Sequence, residues 1–382
     1  MKVLISIDEH VYFYKGHYYV RELGMDLIDR YLRVFDIIRV AVRVDVVAEL
    51  DVSPYRQMDS ERVEIFPLRF FRGYKEFIQS IPTLRGQYKK VIGNCDAAIV
   101  RLPSTIGFSI AARVARKKLP LGCEVVANPY DFFRAKTNLL EKILYGIYHI
   151  QQKIACAKAD GVAYVTKFNL QQHYPASKKG SFTTHYSSAK LTTDFYTRPR
   201  NTAEKDSYVL CHVAHPINNK EKGHEVVVRV VAALNKRLSK NVIVRFAGDG
   251  ELVPELKQLA LQLGIADKVE FPGLLSMKDM HQFLCDADLM IFPTLTEGLP
   301  RVVIEAMATG MPCVSTPVGG IPELLSKDSL FSPTDVKGFT ERIASLLSDP
   351  ELYYAESKQN FERSLEYEEE KLQERSEEHT SE

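Results

Sequence analysis

From residue 207 onward the chain alternates short apolar runs with segments of helical period. "SYVLCHVAH" (207–215), "NVIVRFAG", "KVEFPG", "DLMIFPT" and "PCVST" read as strands. Between them, "GHEVVVRVVAALNKRL", "VPELKQLALQLG", "MKDMHQFLCDA" and "PRVVIEAMATG" place apolar residues three and four apart, as helices do. Strands that alternate with helices need crossover connections. This half is therefore built of parallel βαβ units in a doubly wound α/β sheet. Right-handed crossovers put helices on both faces.

The first half repeats the rhythm less clearly. "KVLISI" (2–7), "AAIVRLP" (97–103), "CEVVANP" (123–129) and "GVAYVT" (161–166) are strand-like, and "SIAARVARKKL" and "LLEKILYGIYHIQQKIACAKA" are helical, while 31–95 gives no clear period. "TRPRNTAEKDS" (197–207) is polar, contains proline and lacks period, so it reads as a linker. At 382 residues the chain is long for one core. The expected division is a first domain over 1–198, a second over 199–350, and a C-terminal helix with a tail over 351–382. In that helix Phe361, Leu365 and Leu372 form a narrow apolar stripe that requires a surface to pack on, and the final "SEEHTSE" is expected to fray.

A net charge of +1 argues against a dedicated nucleic-acid binder. No apolar run reaches the ~18 residues of a spanning helix. Six scattered cysteines without paired spacing suit buried thiols in a reducing compartment, and the start reads as a strand instead of a secretory signal; a cytoplasmic location is expected. The ten histidines show no ligand spacing for zinc.

"PTLTEGLPRVVIEAMATGMPCVSTPVGGIPELL" (293–325) carries two glutamates, Glu297 and Glu305, inside a stretch otherwise suited to burial. Strand "DLMIFP" leads into a turn over 294–299. Pro300 suits the first helical position and Gly310 suits the helix end. Glu297 then stands on the loop beyond a strand's carboxyl end, where open α/β sheets bind ligands. The helix start offers free N–H groups to a phosphate, Gly298 lets backbone approach a ligand, and Glu305 can accept hydroxyl hydrogen bonds from a ribose. Solvated surface carboxylates are the bland alternative; the apolar neighbours in "VVIEAMA" weigh against it.

This stretch resembles the Glu-x7-Glu region of retaining, family-4 type glycosyltransferases of the GT-B fold. The resemblance runs over about 207–348 and includes "GDGEL", "VEFPG" and "CDADLMIFP". In the first half, "EVVANPYDFF" and "GVAYVTKFNLQQHYP" resemble members that build bacterial surface polysaccharides. The family implies two Rossmann-like domains facing a cleft, the second holding a nucleotide-diphosphate sugar, UDP- or GDP-linked, with no metal, and a C-terminal helix that crosses back to pack on the first domain. It implies that Glu297 contacts the donor sugar, that Glu305 holds the ribose, and that Gly298, Leu299 and Gly273 lie along the donor. Lys222, before Gly223, would neutralise the leaving diphosphate. The family pairs that lysine with an arginine; "AHPINNKEKG" has none, and Lys220 or His215 are the substitutes at hand.

Gly16 in "YKGHYYV" matches a family glycine loop near donor phosphate and acceptor, with an ordinary turn as the alternative. Asp131 in "NPYDFF" matches a cleft-lining acidic or histidine position, with a helix N-cap as the alternative. Asp286 and Asp288 have Asp-x-Asp spacing but fall at a helix-to-strand turn on the far edge of the sheet, away from a cleft. The basic stretches "RVARKK" (113–118) and "LRFFRGYK" (68–75) suit either a solvated face or peripheral contact with an anionic membrane. The reading is a retaining transfer of sugar to a glycan or lipid-linked acceptor on the inner face of the membrane, in surface polysaccharide synthesis. A nucleotide-sugar-binding protein without turnover and a nucleotide-sugar epimerase are the alternatives. Hydrolysis would need carboxylates flanking the bond, ~5–10 Å apart, whereas eight helical residues span ~12 Å.

Overall fold

The computed structural model describes residues 1–136, 138–187, 189, 191–201 and 205–372. The fraying expected at 376–382 falls outside the described residues. Two sheets organise the molecule. The strands of the first are β1 (Lys2–Ser6), β2 (Val11–Tyr14), β3 (His17–Arg21), β4 (Ile37–Val46), β5 (Tyr55–Gln57), β6 (Val63–Arg69), β7 (Ala97–Leu102), β8 (Leu121–Val125), β9 (Gly161–Tyr164) and β10 (Phe182–His185). Those of the second are β11 (Ser207–Val213), β12 (Asn241–Ala247), β13 (Val269–Gly273), β14 (Leu289–Phe292) and β15 (Cys313–Ser315). The helices are α1 (Glu22–Leu32), α2 (Gly73–Lys90), α3 (Thr105–Lys117), α4 (Pro129–Ala135), α5 (Leu139–Lys158), α6 (Asn169–His173), α7 (His224–Arg237), α8 (Val253–Gln262), α9 (Met277–Asp286), α10 (Arg301–Ala308), α11 (Ile321–Leu324), α12 (Val336–Ser348) and α13 (Pro350–Ser364).

The second sheet is wholly parallel in the order β13-β12-β11-β14-β15. Its strand order reverses between β11 and β14, which opens a crevice at their carboxyl ends. Val227, Val231, Ile343 and Leu347 fill one face; Met290, Val303, Met307 and Leu324 fill the other. In the first sheet the parallel strands reverse between β1 and β7. An antiparallel flange, β2-β3-β5, continues the edge where β2 runs beside the end of β4. The loops after β8 and β9 touch those after β14 and β15: a Cβ on Gly298 would lie 2.1 Å from the Val126 carbonyl oxygen. The two carboxyl edges therefore face one cleft.

Two boundary expectations change. Ala189 and Leu191, expected in the first domain, belong to the second domain's core. Within the expected linker, residues 197–201 are not free: the Arg200 guanidinium is inserted at the ends of α9 and α10. Its Nε donates to the Thr309 carbonyl and its Nη atoms donate to those of Ala287 at 2.7 Å and Leu284 at 3.2 Å. It thereby satisfies carbonyls that a helix end leaves open. The expectation that the last helix crosses back to the first domain also fails for α13. Tyr353, Ser357, Asn360 and Arg363 donate to the carbonyls of Asp288, Gly310, Met311 and Leu324, which fixes the helix to the second domain. The segment after it touches the first domain through the Lys167–Glu366 ion pair, while its bridge from Glu368 to Leu191 stays within the second. Leu372 is buried in the second domain's core.

Arg200→Met keeps the bulk but leaves those carbonyls open. At ~1.5–3 kcal/mol for a charge-assisted bond, and about 2–4 °C per kcal/mol in a domain of this size, the melting temperature should fall by roughly 5 °C or more in calorimetry. A shift below 1 °C would show that the guanidinium is not what ties residues 197–201 to the domain.

Candidate active site at the switch point

The loops after β11 and β14 flank the topological reversal, and they are zipped together. Asn219 accepts from the Glu221 N–H and starts one 3-10 turn, Lys220–Lys222. Gly223 follows at φ +71°, and a Cβ there would lie 2.1 Å from the Pro293 carbonyl oxygen, so only glycine permits the approach. The Leu295 N–H donates to the Glu221 carbonyl at 2.7 Å. Thr316 Oγ1 donates to the Thr294 carbonyl at 2.7 Å and Ser315 Oγ to that of Phe292 at 2.6 Å, which holds the same loop from β15.

This scaffold brings Lys222 and Glu297, 75 positions apart, into an ion pair. Lys222 Nζ also lies 3.4 Å from the Thr296 carbonyl and over the Phe292 ring, 5.7 Å from its centroid. Burial pushes the Glu297 carboxyl up from its ordinary value; Lys222 and the Gly298 N–H oppose that. Glu305, half-buried on α10, is also raised by burial, with Arg301 one turn earlier as the opposing charge. Its carboxylate has no hydrogen-bond partner among the described residues, a costly state for a half-buried charge unless a ligand supplies the donors.

Behind Lys222 lie two buried histidines. His212 Nδ1 is 2.9 Å from the Ile291 carbonyl, which can only accept, so Nδ1 carries the proton. His212 Nε2 then accepts from His224 Nδ1 at 3.0 Å, which puts a proton on Nδ1 of each ring. Burial lowers the two to about 3 and about 4.

The remaining expected residues distribute unevenly. Gly310, at φ +68°, ends α10 with its N–H on Met307 and the next on Ala306, as expected for a helix stop. Pro300 is the N-cap instead of the first helical residue. Leu299 packs against both domain cores. Gly273 ends β13 at φ +83°, accepts from the Gly248 N–H, and leaves open space where a Cβ would be. Asp131 sits in the first turn of α4, capped by Asn128, so Asp131 is not the N-cap. Burial raises its carboxyl, while Asn128, His173, Arg134 and the Gly319 amide of the second domain pull it down. It faces the cleft.

Gly16 takes the ordinary-turn alternative. It is the second residue of the two-residue turn Lys15–Gly16 joining β2 to β3, both at positive φ. Nothing lies within 4 Å of where its Cβ would be. The loop that does follow β1 is Asp8-Glu9-His10, with Arg43 Nη2 on Asp8 at 2.8 Å. For the absent arginine, Lys220 pairs with Glu225 at 2.6 Å on the solvent side of α7 and His215 is exposed. The sequence reasoning missed Lys136, which crosses from the first domain to Glu221 at 2.7 Å. It also missed Glu323, whose carboxylate accepts from the N–H groups of Lys167, Phe168 and Asn169 at 2.6, 3.0 and 2.8 Å. A lone acid in "GGIPELL" was the available signal for Glu323; nothing local marked Lys136.

Residues 197–363 match the family model described as glycosyl transferases group 1. Protein CapJ of Staphylococcus aureus is 27% identical over 91% of this chain and 87% of its own length. A putative colanic acid biosynthesis glycosyltransferase, WcaL of Escherichia coli, is 36% identical over 26% of this chain and 27% of its own. The crystal structure of HepE from Anabaena in complex with UDP and glucose superposes with a TM-score of 0.65 at 17% identity, covering 99% of this chain and 98% of that one. The chain is a glycosyltransferase with the two-domain GT-B fold.

The histidine pair makes stability depend on pH with a definite sign. Both histidines bind protons in the unfolded chain below about 6.5 and refuse them when folded, so stability is lost as pH falls from about 6.5. The raised carboxyls of Glu297 and Glu305 act the other way, which makes a comparison between variants necessary. Between pH 6.5 and 5, His224→Gln should lose stability less steeply than the unmodified protein, by up to about 1.4 kcal/mol per pH unit. Parallel denaturation curves would contradict a neutral pair.

Proposed function

We propose that the protein is a retaining glycosyltransferase that moves a sugar from a nucleotide-diphosphate donor to a glycan or lipid-linked acceptor in surface polysaccharide synthesis. The observation that carries the reading is the Lys222–Glu297 ion pair at the β11/β14 switch point, eight residues before the Glu305 carboxylate, which has no hydrogen-bond partner among the described residues. The UDP and glucose in HepE and the colanic acid named for WcaL support the donor class and the setting. Six free cysteines suit a cytoplasmic reaction.

In this reading the diphosphate lies at the first turn of α7, between Gly273 and the Gly298–Leu299 backbone, where open helix amides favour an anion. Lys222 turns from Glu297 to the phosphate that gains charge as the glycosidic bond breaks. The freed Glu297 carboxylate accepts from hydroxyls of the donor sugar. Glu305 accepts from the ribose hydroxyls. Asp131 lines the acceptor side. The acceptor hydroxyl attacks the anomeric carbon from the face the phosphate leaves, and its proton passes to that phosphate. The protein thus positions groups and stabilises charge, and Lys222 with the α7 amides does so without a metal.

Four measurements test this, using whichever of UDP- and GDP-sugars gives the larger thermal shift. Lys222→Ala should lower kcat more than it raises KM, because its charge matters most in the transition state; a change in KM alone would reduce it to a binding contact. Glu305→Gln should weaken nucleoside diphosphate and nucleotide-sugar alike, at least tenfold, since a bond to a charged group contributes ~1.5–3 kcal/mol. Glu297→Gln should leave the sugar-free diphosphate nearly unaffected in calorimetry and damage turnover; equal weakening of both ligands would refute the separate roles. EDTA should leave turnover intact, and loss of activity restored by a divalent cation would overturn the metal-free mechanism.

A further inference from the structure

Helix α5 carries an apolar stripe on the wrong side. Its inner face packs on the first domain's core through Gln152, Ala155 and Cys156. Its outer face presents Leu139, Leu140, Ile143, Ile147, Ile150 and Ile154, which are 71, 59, 52, 46, 58 and 49% exposed. From Leu140 the spacings are three, four, three and four, so these side chains form one continuous ridge. Single exposed aliphatics need no explanation, but six aligned on one helix do.

The surroundings of the ridge are basic. Residues 105–118, which form α3 and its cap, and residues 139–158, which form α5, together hold seven lysines and arginines against a single acid, Glu141. The two helices are packed side by side. Arg116, Lys117, Lys118, Lys153 and Lys158 are exposed. In a chain of net charge +1, these two helices carry seven basic residues and one acid beside the ridge.

We propose that α5 lies in the plane of an anionic lipid surface, with the Leu139–Ile154 ridge among the acyl chains and the α3–α5 basic groups at the headgroups. No helix among the described residues is long and apolar enough to cross a membrane, so α5 rests on the surface without spanning it. A second copy of the chain fits less well. A two-fold contact would set this basic surface against itself, and one helical ridge about 30 Å long falls short of the ~800 Å² per partner of a stable interface. The ridge starts three residues after Lys136, whose Nζ reaches Glu221 across the cleft, so a surface along α5 meets the cleft mouth. This inference concerns a face outside the transfer site and does not need the donor reading to hold.

The test is sedimentation of the full chain with vesicles of phosphatidylcholine alone and with 30% phosphatidylglycerol. Binding is expected to the anionic vesicles, reduced by 0.5 M salt because screening shortens the reach of the basic groups. Ile147→Glu with Ile150→Glu should reduce it at least tenfold. The melting temperature and the thermal shift with nucleotide should stay unchanged, since both side chains are exposed and away from the cleft. Absent binding to anionic vesicles, or equal binding by the double variant, overturns the proposal. So does a dimer in light scattering that the double variant converts to monomer, because the ridge then belongs to a second copy.

Discussion

The Lys222–Glu297 pair is the constraint on which the site depends. A carboxylate withdrawn from water at a strand's end is unfavourable alone. It is tolerable because Lys222 comes to it, and Lys222 can come only because Gly223 lets the β11 loop close onto Pro293. Thr316 and Ser315 then hold the β14 loop from the other side. The sheet order does the rest: β11 and β14 are neighbours whose crossovers leave in opposite directions, so their loops meet at the switch point and are close enough to share a charge pair.

The second level of organisation is the contact between domains. Glu323 on α11 accepts three backbone N–H bonds from the loop after β9, Lys136 reaches Glu221, and Gly298 meets Val126. Each of these second-domain groups is within a few residues of Lys222, Glu297 or the Gly319–Gly320 turn. Closure of the cleft and placement of the donor groups are therefore mechanically one arrangement. The loop proposed to hold the donor also carries the contact to the opposite domain.

The sequence revealed most where local rules decide. The βαβ rhythm of 207–315, the helix stop at Gly310 and the loop position of Glu297 follow from periodicity, glycine chemistry and strand ends. It revealed least where partners come from far away. Lys136 and Glu323 acquire meaning only across the cleft. The family resemblance and a stripe in need of burial put the last helix on the first domain; the hold of α13 on the second domain is polar, through Tyr353, Ser357 and Asn360, and no hydrophobic pattern records that. Gly16 illustrates a different limit: a glycine after the first strand fits a phosphate loop and a hairpin equally, and it is the aromatic strands around it, "VYFY" and "HYYVR", that pair into the hairpin.

The structure of the protein bound to UDP or GDP, whichever stabilises it more, is the most direct test of the account. It should show the diphosphate at the start of α7, with Lys222 Nζ within ~3 Å of a phosphate oxygen and away from Glu297, and both ribose hydroxyls on Glu305. A nucleotide bound elsewhere, or one bound here with the Lys222–Glu297 pair intact and Glu305 untouched, would contradict it.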